Sequence, residues 1–182
     1  MSNATANLPF SVESLGAGPF TCDLPVKGST TIYLKTIVAQ HSGGYMVPGT
    51  TSGGGCGLGI ASAKADNSGS ATDGAVRVVV ETMRAYAFPN GTAGDAFSDT
   101  SKVGAPVYMT DDHTVADNSS SATRNCIGWF MGFESDGKVR VFMNPGYAYL
   151  INVLNNLQLL TDTPASADAL RDNIVSAVAG LL

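Results

Sequence analysis

The chain has 182 residues, of which 44% are apolar and only 14% charged, with a net charge of −5. That apolar content builds a core rather than a disordered chain, and a pI near 4.7 speaks against a binder that tracks nucleic-acid phosphates. No apolar run approaches the ~20 residues that span a bilayer, Met1–Pro9 lacks the basic and apolar regions of a secretory leader, and three widely spaced cysteines form no disulfide framework. The expectation is a soluble, β-rich protein made in a reducing compartment, with no nucleic-acid partner and no membrane partner.

Residues 1–20 carry Leu8, Phe10, Leu15 and Phe20 among Pro9, Gly16, Gly18 and Pro19. They read as an extended N-terminal arm that gains order on a partner surface, with those four side chains as its contacts. From Thr30 to Ala39 apolar and polar residues alternate with period two, which predicts a strand. Tyr45–Val47 resumes it after the His41–Gly44 turn. A second alternating run covers Cys56 to Ala65. After the polar loop Asp66–Gly74, Val76, Val78 and Val80 share one strand face, and Arg84–Phe88 continues that strand as far as the turn at Pro89–Gly91. Pro106–Thr110 and Thr114–Ala116 are short strands. Ile127–Glu134 and Lys138–Met143 form a hairpin around Asp136-Gly137, whose glycine supplies the positive φ of a tight turn. Ile127, Trp129, Met131 and Phe133 are expected on one face of the first strand.

The tail changes period. Tyr147, Leu150, Ile151, Leu154 and Leu157 recur at helical spacing, and Thr163-Pro164 reads as an N-cap with proline at the first helical position. Leu170, Ile174, Ala177, Val178 and Leu181 stripe a second helix. The fold class predicted is mainly β, an antiparallel sandwich or barrel-like domain over 21–145. It carries the arm over 1–20 and a C-terminal helical hairpin over 146–182. Leu159, Leu160, Leu181 and Leu182 lie off or at the ends of the stripes and are the expected oligomer or docking contacts of the tail.

No catalytic or metal constellation stands out, so neither an enzyme nor a cofactor is expected. Gly53–Gly59 lacks the Lys-Ser/Thr of a phosphate loop and runs into a strand pattern, where glycine softens the entry. His41 and His113, the latter beside Asp111 and Asp112, sit in turn-forming segments without metal-ligand spacing. Glu81 and Glu134 occupy polar strand phases, as solvated residues do, although a glycosidase needs just such a pair. Cys22, Cys56 and Cys126 lie among apolar strand neighbours and are read as small buried hydrophobes. Trp129 with Tyr33, Tyr45, Tyr86 and Tyr108 is compatible with a sugar-stacking platform, but the apolar phase of Trp129 favours the core. Asn3, Asn90 and Asn118 match the glycosylation sequon, which carries no weight without a secretory leader.

The order of phrases over residues 28–145 resembles the small head-decoration (capsid cement) proteins of tailed bacteriophages. Ile37-Val-Ala39 precedes Gly44-Tyr-Met-Val-Pro48. Gly59-Ile-Ala61 is followed by Asn67-Ser-Gly69, and Val76–Val80 leads to Ala87-Phe88. Val103–Asp112 ends in Asp-Asp before Thr114–Ala116, and the Gly128–Met143 hairpin closes the series. The resemblance implies a structural virion protein that binds the outer surface of an assembled capsid, with the major capsid protein and itself, as a homotrimer, for partners. It would be made in the host cytoplasm and reside on the virion. A carbohydrate-binding or adhesive β module, such as a head-fibre base, is the alternative.

Overall fold

The computed structural model describes residues 20–50 and 54–161, with the backbone alone at residue 54 and over 157–161. The arm contacts Leu8, Phe10 and Leu15, the second helix, and Leu181 and Leu182 lie outside the described residues, and Leu159 and Leu160 are placed only as helix backbone.

The protein is mainly β, with antiparallel ladders and one helix near its C-terminal end. The strands are β1 (Phe20–Pro25), β2 (Thr31–Ile32), β3 (Ile37–His41), β4 (Met46–Pro48), β5 (Gly54–Ala61), β6 (Ala65–Asp66), β7 (Arg77–Thr82) and β8 (Arg84–Phe88). After them come β9 (Pro106–Met109), β10 (Val115–Ala116), β11 (Cys126–Phe133), β12 (Val139–Met143) and the helix α1 (Pro145–Thr161). One five-stranded sheet has the order β1-β7-β5-β3-β4, a second β10-β9-β11-β12-β8, and β2 pairs with β6. Each large sheet curls until its outer strands meet. Val26, just past β1, forms a parallel bridge to Met46 in β4, and Asn90, just past β8, bridges Val115 in β10. At β8 the closure is confined to Pro89 and Asn90, past the strand, and leaves Ala85–Phe88 outside it.

Period-two alternation explains the layers. In β7, Val78, Val80 and Thr82 are buried while Arg77 and Val79 face out, and in β12 Val139, Val141 and Met143 are buried. The first sheet encloses Val26, Ile32, Val38, Met46, Ala61, Val78 and Val80. The other face of β3 sends Ile37 and Ala39 into a larger core with Phe88, Val107, Met109, Ile127, Phe130 and Val141 of the second sheet. Both faces of β3 are therefore buried, and its run Ile37-Val-Ala39 is apolar throughout. The β11–β12 hairpin forms as expected, with Gly137 at φ +82°.

Four departures from the expected strands have local causes. The 30–39 run is two strands, because Tyr33–Thr36 closes a turn with Lys35 at φ +63° and both the amide and hydroxyl of Thr36 donating to the Tyr33 carbonyl. The 56–65 run stops at Ala61 and resumes as β6. The strand expected to run on through Arg84 breaks at Met83 (φ +54°), which passes the chain from the first sheet to the second. In β11, register shifts at Cys126/Gly128 and Phe130/Gly132 place Ile127 and Phe130 in the core while turning Met131 outward. Trp129 is accordingly half-buried outside the core rather than in it.

Candidate functional site

The seam where Met83 joins the two sheets opens a cleft of about 430 Å³. Its walls are Ile60, Ala61 and Ser62 at the end of β5, Glu81 of β7, and Tyr86–Pro89 along β8, with Leu34, Lys35 and His113 at the mouth. The lining is mostly apolar, with few polar groups, in the manner of pockets that accept apolar ligands or side chains. Glu81 is held in place because the Tyr86 hydroxyl donates to its Oε2 at 3.0 Å and Arg84 lies 3.5 Å away. Burial first, and then the Glu81 carboxylate, push the Tyr86 phenol well above its ordinary range, so Tyr86 stays a neutral donor.

His113 belongs to a small acidic turn. Its Nδ1 lies 2.6 Å from Asp112 Oδ1 and 3.2 Å from Asp111 Oδ1. Asp111 Oδ1 also accepts from the backbone amides of His113 (2.8 Å) and Thr114 (2.6 Å). The three side chains could converge on a cation, but Asp111 is already spent as an Asx-turn cap that shapes the strand entry. The Asp112 hydrogen bond raises the His113 pKa above its ordinary value. A raised value means that the charged imidazole favours the fold below the ordinary titration range near 6.5, and that this favour is lost as pH rises through the higher native midpoint. NMR titration should place the His113 midpoint above 6.5, and Asp112→Asn should lower it; an unmoved midpoint would refute the pairing. Replacing His41 and His113 together by Asn should leave the fold and any partner binding intact.

The remaining sequence candidates are dispersed. Gly54–Gly59 is strand, and its glycines serve close packing: a Cβ at Gly57 would lie 2.4 Å from Ile127 Cγ2, and one at Gly59 2.2 Å from the Glu81 carbonyl. Glu134 pairs with Arg140 at 2.8 Å at the hairpin end, whereas Glu81 accepts from Tyr86 and pairs with Arg84. Trp129 stacks on Phe142 at 4.7 Å and meets the edge of Tyr147 at 5.3 Å, so its ring is engaged within this cluster rather than with Tyr33, Tyr45, Tyr86 or Tyr108. Cys56 and Cys126 are buried as expected, whereas Cys22 is exposed because β1 edges its sheet and presents little core-facing surface. Phe20 opens β1 opposite Thr82 and is 55% exposed.

Asn90 and Asn118, which the sequence marks only as sequons, are structural. Asn90 grips Phe97 with both ends of its amide, donating to the Phe97 carbonyl at 2.9 Å and accepting from its amide at 3.0 Å. Asn118 donates to Asp95 Oδ1 at 3.0 Å and accepts from Arg124, whose other arm reaches Asp95 Oδ2 at 2.7 Å. No sequence signal separated these roles from ordinary loop polarity.

Helix α1 lies over the outer side of the junction, where Ala148, Tyr147 and Ile151 cover Cys56, Tyr108 and Cys126. Asn152 Oδ1 accepts from the Cys126 amide at 2.8 Å, and Asn155 donates to the Tyr108 hydroxyl at 3.2 Å. Tyr149, Leu150 and Leu154 point away and are about half exposed. The stretch 145–161 carries no charged residue at all. Among the described residues, no helix is long and apolar enough to cross a membrane. Comparison with known proteins adds no relative to this geometry: no family model, no curated protein and no solved structure matches the chain.

Proposed function

We propose that the chain is a structural virion protein, a capsid decoration (cement) protein that binds the outer surface of an assembled phage shell as a homotrimer. The observation that carries this reading is where the family-like phrases fall. Each belongs to the continuous β body and occupies a position that defines the fold. Gly44, at φ +84°, turns β3 into β4. Asn67 is buried and donates to the carbonyls of Val26, Lys27 and Thr72 at 3.0–3.2 Å, tying the polar loop to the first sheet. Asp111 caps the turn between β9 and β10, and Asp136-Gly137 closes the β11–β12 hairpin. An uncharged helix with Leu150 and Leu154 outward supplies a surface suited to self-association. Of the four expected arm contacts, Leu15 and Phe20, the latter 55% exposed at the start of β1, supply those to the major capsid protein, while Leu8 and Phe10 fix the arm to the β body.

Purified protein mixed with undecorated heads of its own phage should pellet with them and add density at symmetry axes in electron micrographs. Absence of added density, together with binding on a glycan array, would overturn the capsid reading in favour of an adhesive module.

A further inference from the structure

We propose that the cleft beside β8 is a docking groove for this chain's own N-terminal segment, with Leu8–Val12 added along the free edge of β8 as an extra strand. The inference does not rest on the capsid reading.

The groove has the right form for a strand. Within its sheet β8 is terminal: it is laddered to β12 on one side, and among the described residues Ala85–Phe88 have no backbone partner on the other. Tyr86, Ala87, Phe88 and Pro89 all border the cleft. Side chains of successive strand residues point to opposite faces, so a cleft lying over one face would meet only alternate residues. Contact with three consecutive strand residues, Tyr86, Ala87 and Phe88, places this cleft along the strand's edge. An edge of unpaired amides and carbonyls beside an apolar trough is the arrangement that binds extended peptides, the backbone supplying hydrogen bonds and the trough taking alternate side chains.

The occupant follows from the segment that precedes β1. Leu8, Phe10 and Val12 recur at every second position, with Pro9 and Ser11 between them and Glu13 after. If the amides of Leu8, Phe10 and Val12 face β8, the missing N–H of Pro9 faces solvent, which is where an edge strand tolerates proline. The chain enters β1 beside the groove, since Thr21 pairs with Glu81 and Glu81 lines the cleft. The seven residues from Glu13 to Pro19 reach up to about 23 Å when extended. Charge agrees as well. Glu13 is the only charged side chain in residues 1–19. Lys35 stands at the cleft mouth, and among the described residues no ion pair engages it.

Hydrogen exchange on the full-length protein tests this. The amides of Ala85–Phe88 should exchange at least tenfold faster once residues 1–18 are deleted, while those of β11 and β12 keep their protection. A peptide spanning residues 6–15 should restore the protection to the truncated chain and leave the full-length chain unchanged. Lys35→Glu in the full-length chain, a mild surface change that should not disturb folding, should also loosen Ala85–Phe88, and adding Glu13→Lys should recover it. Equal exchange in the full-length and truncated chains would overturn the proposal. Protection that fades on dilution would overturn it too, because the occupant would then be the arm of a second copy.

Discussion

Val78→Asp is expected to leave the protein unfolded at 25 °C, with loss of its β-type circular dichroism and of cooperative melting. Val78 is 1% exposed, sits in the middle of β7 and packs with Val26, Val38, Met46 and Val80 inside the first sheet. Its side chain contributes roughly 1.5–3 kcal/mol by burial. A carboxylate there meets no cation in that cluster and adds a desolvation cost of several kcal/mol. The sum approaches or exceeds the 5–15 kcal/mol that holds a domain together. The adjacent residue is the control. Val79 is 40% exposed and pairs across the ladder with Asp23. Val79→Lys should therefore melt within a few degrees of wild type, since an opposed pair of unlike charges adds only about 0.2–1 kcal/mol. Equal damage from both substitutions would show that β7 is not a strand with one buried face.

The contrast between Val78 and Val79 was legible in the sequence because β7 and β12 obey period two without interruption. The hairpin between β11 and β12 was legible for a second reason: Asp136-Gly137 marks its own turn chemically. Elsewhere the determining residues carry no mark. Lys35 and Met83 take left-handed conformations in which glycine is the expected residue, and tertiary packing holds them there. Met83 matters most, since a reader of the sequence sees one strand where the chain changes sheets. The bulges of β11 are equally silent, and two of them suffice to move Trp129 from the expected core face to a stack on Phe142.

The helix shows the same limit. Leu150, Leu154, Ile151 and Tyr147 form a fair stripe on paper, yet the face that packs includes Asn152 and Asn155 and leaves Leu150 and Leu154 outside. The sheet under α1 offers an amide at Cys126 and a hydroxyl at Tyr108, and buried polar groups claim partners ahead of a tidier apolar fit. The cleft was the least legible feature. Its lining runs from Leu34 to His113 and is assembled only when the two sheets close against each other. Glu81, Tyr86 and His113 carry no shared signal in the sequence and meet only in that lining.

Truncation after Pro145 is expected to turn one reactive thiol into three. In the intact chain Cys22 is exposed, while Cys56 and Cys126 are buried. Burial pushes the Cys126 thiol up to about 12 and raises that of Cys56, so near pH 8 neither supplies thiolate to a disulfide reagent. The unfolded chain ionises from about pH 8.5, so the native state should also lose stability as pH rises from there toward the Cys126 value. Without α1 the cover formed by Ala148, Tyr147 and Ile151 is gone, and so is the hydrogen bond that the Cys126 amide donates to Asn152. Each lost large side chain costs roughly 1.5–3 kcal/mol and the hydrogen bond about 1. The combined loss of about 4–7 kcal/mol lowers Tm by at least roughly 10 °C in a domain of this size. The truncated chain should therefore fold, melt early and titrate all its cysteines without denaturant. Protection of Cys56 and Cys126 that survives truncation would show that the helix is not their cover. Light scattering on the same sample tests self-association: a fall to monomer mass assigns it to the tail after Pro145. A truncated chain that keeps its oligomeric size while losing stability confines α1 to capping the sheets and overturns the tail as a self-association surface.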